Sequence, residues 1–215
     1  MDKSNFASHP ESRRDSKEET KLNNAKIKRM ASIGLLMALV VVLQSIGGMI
    51  PPIGGFSISL VLIPIVLGAA LHGPAAGALL GGTFGVIVVV NCITGADLGG
   101  QMVFQANPIL CIVVVMAKGI LAGLASGLVY TALKSINAYL AMFLAAAICP
   151  VVNTGVFVAC MLTFFKDVLS LWAGGGDIIA YVLSGLMLCN FVPELIINLV
   201  FSPAGQRILH TVEMK

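Results

Sequence analysis

A long stretch with almost no charge constrains this chain more than any other feature. Between Met30 and Ala117 the one residue with a formal charge is Asp97, and further apolar blocks follow almost to the C-terminus. In lipid the backbone has to satisfy its own hydrogen bonds, which favours helices with apolar surfaces. With 58% hydrophobic and 11% charged residues, the sequence predicts an all-α integral membrane protein.

The apolar blocks divide into six predicted spans, separated by breaks rich in proline, glycine or polar residues. We predict a compact six-helix bundle over residues 30–202, between a disordered polar tail at 1–29 and a C-terminal tail at 203–215. Lysine and arginine lie mostly in these tails and between the fourth and fifth spans, so the positive-inside rule predicts that both termini are cytoplasmic. The predicted spans are 30–49, 58–71, 74–93, 106–133, 138–165 and 178–201.

Small residues recur at helical spacing in three of the predicted spans. A spacing of four places them on one face, where they let two helix backbones approach closely. In the third and fourth spans this indicates internal packing. In the first span, spacing alone leaves open whether the face packs internally or docks another membrane protein. The positions are Gly77, Gly81 and Gly85, then Gly119, Gly123 and Gly127, and in the first span Ala31, Gly34 and Ala38.

Two charged residues, Lys118 and Glu194, fall inside predicted spans, where charge is costly and usually faces a partner or a cavity. Counted inward from the predicted outer loops, Lys118, Asn153 and Asn190 all lie ~18–20 Å along their helices. One lysine and two amides on three helices are therefore expected at a single depth, with Glu194 one turn deeper.

Two interpretations of these polar residues remain open. In the first, Lys118 and Glu194 form a buried ion pair and the asparagines hold helices together. In the second, Lys118 meets a negative group on a small solute in a pocket open to the outside, and the amides bind its polar atoms. Gln105 and Asn107 would then line the entrance. Glu194 can hold the lysine in place in either case.

Several classes of function lack their motifs. No phosphate-binding loop, HExxH pair or serine–histidine arrangement occurs, so we predict neither an ATPase nor an enzyme, and no catalytic residues, cofactor or metal. The five cysteines are scattered through apolar segments without metal-ligand spacing. Acidic residues interleave with the basic ones of the N-terminal tail, which argues against nucleic acid as a partner.

A basic tail precedes a small-residue helix, and ordered motifs follow at Ile50–Ile53, His72–Gly77, Lys118–Gly123 and Pro150–Gly155. In this order they resemble a known family, the substrate-binding S components of energy-coupling factor (ECF) vitamin transporters. The resemblance covers residues ~26–205.

The resemblance implies a subunit of a bacterial plasma membrane that binds a vitamin or similar micronutrient at its outer side. Its partners would be the lipid bilayer, a transmembrane coupling subunit (T component) and two ABC-type ATPases that power uptake. In that family an Ala-x-x-x-Ala face of the first helix contacts the coupling subunit, and the matching positions here are Gly34 and Ala38, next to Ala31. The loop containing Pro51, Pro52 and Phe56 would be a gate.

Two other functions remain as alternatives. A stand-alone secondary transporter would relay protons through Glu194 and Lys118 and need no ATPase. A membrane scaffold would use the polar residues only to join helices and would bind no small molecule.

Overall fold

The computed structural model describes residues 10–49 and 60–213, with side chains from 19–47 and 60–211. Throughout these residues the chain is helical, with turns and short connections between helices and no strand. The helices are α1 (Pro10–Met49), α2 (Leu62–His72), α3 (Pro74–Thr94), α4 (Leu98–Ala106), α5 (Pro108–Leu133), α6 (Ala138–Phe164), α7 (Lys166–Trp172), α8 (Ile178–Tyr181), a π-helical segment (Val182–Phe191) and α9 (Val192–Glu213).

Five helical stretches of the described chain are long and apolar enough to cross a membrane. They lie in α1, α3, α5, α6 and the continuous run from α8 to α9, and α2 is a shorter apolar helix of 11 residues. The protein is therefore an all-helical, multi-pass membrane protein. The count of six spans and the cytoplasmic placement of the termini stay predictions.

Most helix ends in the core lie close to the predicted ones, because the glycine, proline and asparagine residues between the helices have the expected backbone and capping roles. Helix α2 ends at His72 and α3 begins at Pro74, with Gly73 between them at a φ of 90°, a left-handed conformation that glycine adopts most easily. Asn137 caps α6, its side-chain oxygen accepting hydrogen bonds from the Tyr139 and Leu140 amides.

The largest differences from the prediction lie at the ends of the chain. Helix α1 begins at Pro10 rather than at residue 30, so the segment predicted to be a disordered tail is helical from that point. Glutamate, lysine, arginine and alanine favour helix even where no apolar period is present. At the other end α9 runs on through most of the predicted C-terminal tail, as far as Glu213.

Helices α3 and α5 form the most extensive interface and pack with their backbones in contact. A Cβ atom added at Gly77 would collide with the carbonyl oxygen of Gly123, and one at Gly81 with that of Gly119. Ser126 adds a link from α5 to α6, where its hydroxyl donates a 3.0 Å hydrogen bond to the carbonyl of Ala145. We call the contact of α3 with α5 the glycine seam.

Helix α1 is held by one side only. Leu36 and Val40 are buried, whereas Ala31, Gly34 and Ala38 are exposed. Just before the first predicted span, Arg29 donates a 3.0 Å hydrogen bond to the carbonyl of His72. The small-residue face of α1 is thus open to the surroundings of the described protein.

The last long helix contains ten π-helical residues, Val182–Phe191, directly before Val192 and Pro193. Proline has no amide hydrogen and its ring crowds the carbonyl four residues earlier, so the preceding turns widen. The amide of Val192 accordingly donates to the carbonyl of Met187, five residues back. The widening turns Asn190 relative to α9 in a way that a plain α-helical wheel does not predict.

Candidate functional site

A cavity of about 100 Å³ lies among the long helices beside the short helices α4 and α7. Every described helix except α2 and α8 contributes residues to its lining. The walls are formed by Gln44 of α1, by Phe84, Val88 and Cys92 of α3, by Asp97, Gly99, Gly100 and Val103 at α4, by Cys111, Val114, Val115 and Lys118 of α5, and by Phe157, Trp172, Asn190 and Glu194 of the later elements.

Lys118 projects from the middle of α5 between two aromatic rings. Its ammonium nitrogen lies 4.8 Å from the ring centroid of Phe157 on α6 and 5.7 Å from that of Phe84 on α3. Both distances are within the range of cation–π attraction, which is worth ~0.5–2 kcal/mol depending on desolvation. The two rings therefore help to hold the charge at the cavity.

Glu194 and Asn190 also bring polar groups to this cavity. Glu194 is 2% exposed and lies in the first turn of α9, and Asn190 lies one turn earlier in the π-helical segment. Opposite charges in a low-dielectric cavity attract, so the carboxylate of Glu194 attracts the ammonium of Lys118.

Asp97 contributes a second carboxylate, from the start of α4. Its Oδ1 accepts a 3.0 Å hydrogen bond from the amide of Gly100, which caps the helix. One of the two glycines in the first turn of α4, Gly100, is explained by the space available. Gly99 and Gly100 both line the cavity, and a Cβ at Gly100 would collide with the sulfur of Cys92.

Trp172 ends α7 and closes the cavity beside α4. Its indole nitrogen donates to the sulfur of Met102 at 3.3 Å, and its ring packs at a tilt against that of Tyr181, with centroids 6.5 Å apart. The ring is therefore held from two sides, by α4 and by α8.

The structure brings together three of the six predicted binding residues, Lys118, Asn190 and Glu194. Asn153 is 4% exposed within α6 and does not line the cavity. Gln105 is exposed on α4. Asn107 caps α5, its Oδ1 accepting a 3.0 Å hydrogen bond from the amide of Leu110. The predicted gate, Pro51, Pro52 and Phe56, lies outside the described residues.

Sequence reasoning missed Asp97, Phe84 and Gln44 as cavity residues. For Asp97 a signal was present. Aspartate followed by a short segment that ends at Asn107-Pro108, itself a cap and a first helical residue, marks a helix between two spans. Among residues 10–49 and 60–213 no cluster of three histidine, cysteine or acidic side chains could hold a metal.

Fold and cavity together define a class of protein, a multi-pass membrane protein with a polar, charged cavity among its helices. The family is shown by sequence comparison. The family model described as "ECF transporter, substrate-specific component" matches residues 28–204, and the chain belongs to this family of transport subunits. A search among curated proteins gives no match.

Proposed function

We propose that this protein is the S component of an ECF transporter that captures a vitamin-class micronutrient at the outer side of a bacterial plasma membrane. The observation that carries the proposal is Lys118, which lies between two aromatic rings and lines the same cavity as Glu194 and Asn190. A charge inside a membrane protein usually marks a substrate site or pathway.

In the proposed site Lys118 pairs with a carboxylate, phosphate or carbonyl oxygen of the ligand. Asn190 hydrogen-bonds a neighbouring polar atom, and Glu194 keeps the lysine oriented. Lys118 reaches the cavity from α5, and Asn190 and Glu194 reach it from the last long helix, so a single ligand would bridge two helices that are distant in sequence.

The cavity is smaller than a typical small-molecule pocket of ~300–1,000 Å³. A vitamin-sized ligand therefore requires the walls to separate. We propose that α4 and α7 lie on the outer side and move, because they are short and connect the long helices through turns. In this proposal α2 is the sixth, shortened crossing and both termini are cytoplasmic.

We propose that the exposed face of α1 formed by Ala31, Gly34 and Ala38 binds the T component, which joins two ABC-type ATPases. A Cβ at Gly34 would meet no atom within 4 Å, so this face is open in the described chain. Small residues allow a partner helix to approach closely.

Gentle purification from the native membrane, followed by mass spectrometry, tests the assembly. We expect a coupling membrane protein, two ATPases and a retained small molecule. Uptake that continues without the ATPases and collapses with the proton gradient would instead support a stand-alone carrier. A protein that emerges alone and empty at full yield argues for the scaffold.

The role of Lys118 is tested by comparing Lys118→Met with Lys166→Met. Lys166 is exposed at the start of α7 and does not line the cavity. We expect Lys118→Met to weaken binding of the co-purified ligand at least tenfold, about 1.4 kcal/mol, while Lys166→Met leaves the affinity unchanged. Equal affinities in both variants would remove Lys118 from the site.

A further inference from the structure

The charges on the cavity wall do not balance. Lys118 contributes one ammonium, whereas Asp97 and Glu194 contribute two carboxylates. When all three groups are ionised, the wall has one net negative charge. Both carboxylates attract the ammonium of Lys118, which can neutralise only one of them. Asp97, at the start of α4, is the one that does not lie on a long helix.

Asp97 shares its corner of the cavity with the indole ring of Trp172. A Cβ added at Gly99 would lie 3.5 Å from Oδ1 of Asp97 and 3.4 Å from Cζ2 of Trp172. Both groups thus border the space left by the missing side chain of Gly99. We call Asp97, Gly99 and Trp172 the outer corner.

A carboxylate beside a tryptophan ring is a combination that recognises an organic cation. Tryptophan has the strongest cation–π attraction of the aromatic side chains, and quaternary ammonium groups bind in such aromatic sites. The ring of Trp172 is already oriented by its hydrogen bond to Met102 and its packing on Tyr181. Little conformational entropy is therefore lost when a ligand contacts it.

Helix capping uses only part of the carboxylate of Asp97. One oxygen accepts the amide hydrogen of Gly100, and an ionised carboxylate has further acceptor sites. Capping does not require the charge either, because Asn107 and Asn137 cap α5 and α6 with neutral amides. The negative charge at position 97 is thus available to a ligand.

We propose, building on the proposed function, that the outer corner is a cation subsite and that the captured ligand carries a positively charged nitrogen. Such a ligand places this nitrogen between Asp97 and Trp172 and an oxygen at Lys118. The protein therefore recognises the ligand at both ends, the nitrogen at Asp97 and the oxygen at Lys118. An anion without a basic nitrogen binds less well because the carboxylate of Asp97 repels it.

The fluorescence of Trp172, the one tryptophan of the chain, reports on the outer corner directly. The purified full-length protein in lipid nanodiscs is titrated with choline and, in parallel, with 3,3-dimethylbutan-1-ol, which has the same shape without the charge. Ionic strength is kept constant because exposed charges are screened by salt. We expect a saturable change with choline and at least about tenfold weaker binding of the neutral alcohol.

Asp97→Asn removes the charge and retains a good helix cap, so the fold is expected to survive. We expect it to weaken choline binding at least about tenfold. The matched control is Asp177→Asn. Asp177 caps α8 through a 2.9 Å hydrogen bond from the amide of Ile179, is exposed, and does not line the cavity. This control is expected to bind choline like the unchanged protein.

A second variant fills the corner without changing charge. Gly99→Leu places a side chain between Asp97 and Trp172 and is expected to abolish the response to choline. Gly155→Leu, at an exposed position where a Cβ meets no atom within 4 Å, is expected to leave the response intact.

Three results overturn the cation subsite: no saturable response of the unchanged protein to choline, equal responses to choline and the neutral alcohol, or an Asp97→Asn variant that binds choline normally. A co-purified ligand without a positively charged nitrogen also overturns it, while the capture function stands. Choline binding by a protein that associates with no coupling subunit has the opposite meaning: the subsite stands and the assignment as a transporter subunit falls.

Discussion

Two small-residue faces of this protein look alike in sequence and have opposite surroundings in the fold. The glycine seam joins α3 to α5 so closely that a single added Cβ at Gly81 or Gly119 meets a backbone carbonyl. On α1 a Cβ added at Gly34 would meet no atom of the described chain within 4 Å, and Ala31 and Ala38 are exposed. Both have the four-residue spacing that allows helix backbones to approach.

The comparison shows that this spacing indicates the capacity for close packing and does not identify the partner. In α3 and α5 the partner is internal, and the buried glycines give up side-chain volume to bring two backbones together. In α1 the buried side is formed by large residues, Leu36 and Val40, and the small residues lie on the other side. A second protein can use that side, whereas the seam is already occupied.

The largest effect is expected in the glycine seam. Gly81→Ala puts a methyl group against the backbone of Gly119, whose carbonyl carbon would be 2.6 Å away, so the helices must separate. We expect the free energy of unfolding to fall by about 1–3 kcal/mol, measured by denaturant titration in micelles.

The neighbouring variant Gly82→Ala is the control for the seam. Its Cβ would lie 3.6 Å from the side chain of Ile120, an ordinary contact, and alanine favours helix more than glycine does. We expect its stability to be unchanged or slightly raised. Equal losses for the two variants would show that the seam is not closely packed.

On α1 the expected effect is on assembly and not on folding. Gly34→Leu together with Ala38→Leu roughens the exposed face, and we expect at least tenfold weaker association with the coupling subunit, about 1.4 kcal/mol. The free energy of unfolding should change by no more than about 0.5 kcal/mol because the positions are exposed. Quantitative co-purification and denaturant titration measure the two effects.

Leu39→Phe, also on α1 and 43% exposed, enlarges a side chain beside this face and serves as its control. We expect it to leave association unchanged. A double variant that destabilises the protein as much as Gly81→Ala would contradict the view that the α1 face is open.

The smallest effect is expected where a polar side chain rather than close backbone contact joins two helices. Ser126→Ala removes the hydrogen bond to the carbonyl of Ala145 at a fully buried site between α5 and α6. Such bonds between membrane helices average ~0.6 kcal/mol, so a similar loss of stability is expected in the same titration. A loss as large as that of Gly81→Ala would show that this hydrogen bond contributes as much to stability as the close backbone packing of the glycine seam.

Much of the fold could be predicted because proline, glycine and asparagine mark where helices begin and end. The predicted breaks at Gly73 and Asn137 agree with the structure, since each residue has a backbone or capping role that depends on nearby residues only. Helices α4 and α7 lie where the sequence predicts loops. They are too short to show an apolar period, and their positions depend on the cavity that they cover.

For the site, counting residues along the helices predicts a depth for each side chain but not the direction in which it points. Counting residues placed Lys118, Asn153 and Asn190 at one level, yet only Lys118 and Asn190 line the cavity. Rise per residue follows from the helix itself. The direction in which a side chain points depends on how each helix is rotated against its neighbours, and for Asn190 also on the π-helical turns before Pro193.

The sequence by itself determined that the chain lies in a membrane as helices, because lipid offers no hydrogen-bond partner for an open backbone. It also determined which residues are costly to bury, above all Lys118 and Glu194. Only the tertiary structure decided that Asp97 and Trp172 meet these charges at one cavity, and that one small-residue face is occupied while the other is open. Such contacts join residues far apart in the chain, so they depend on the packing of whole helices and not on local sequence.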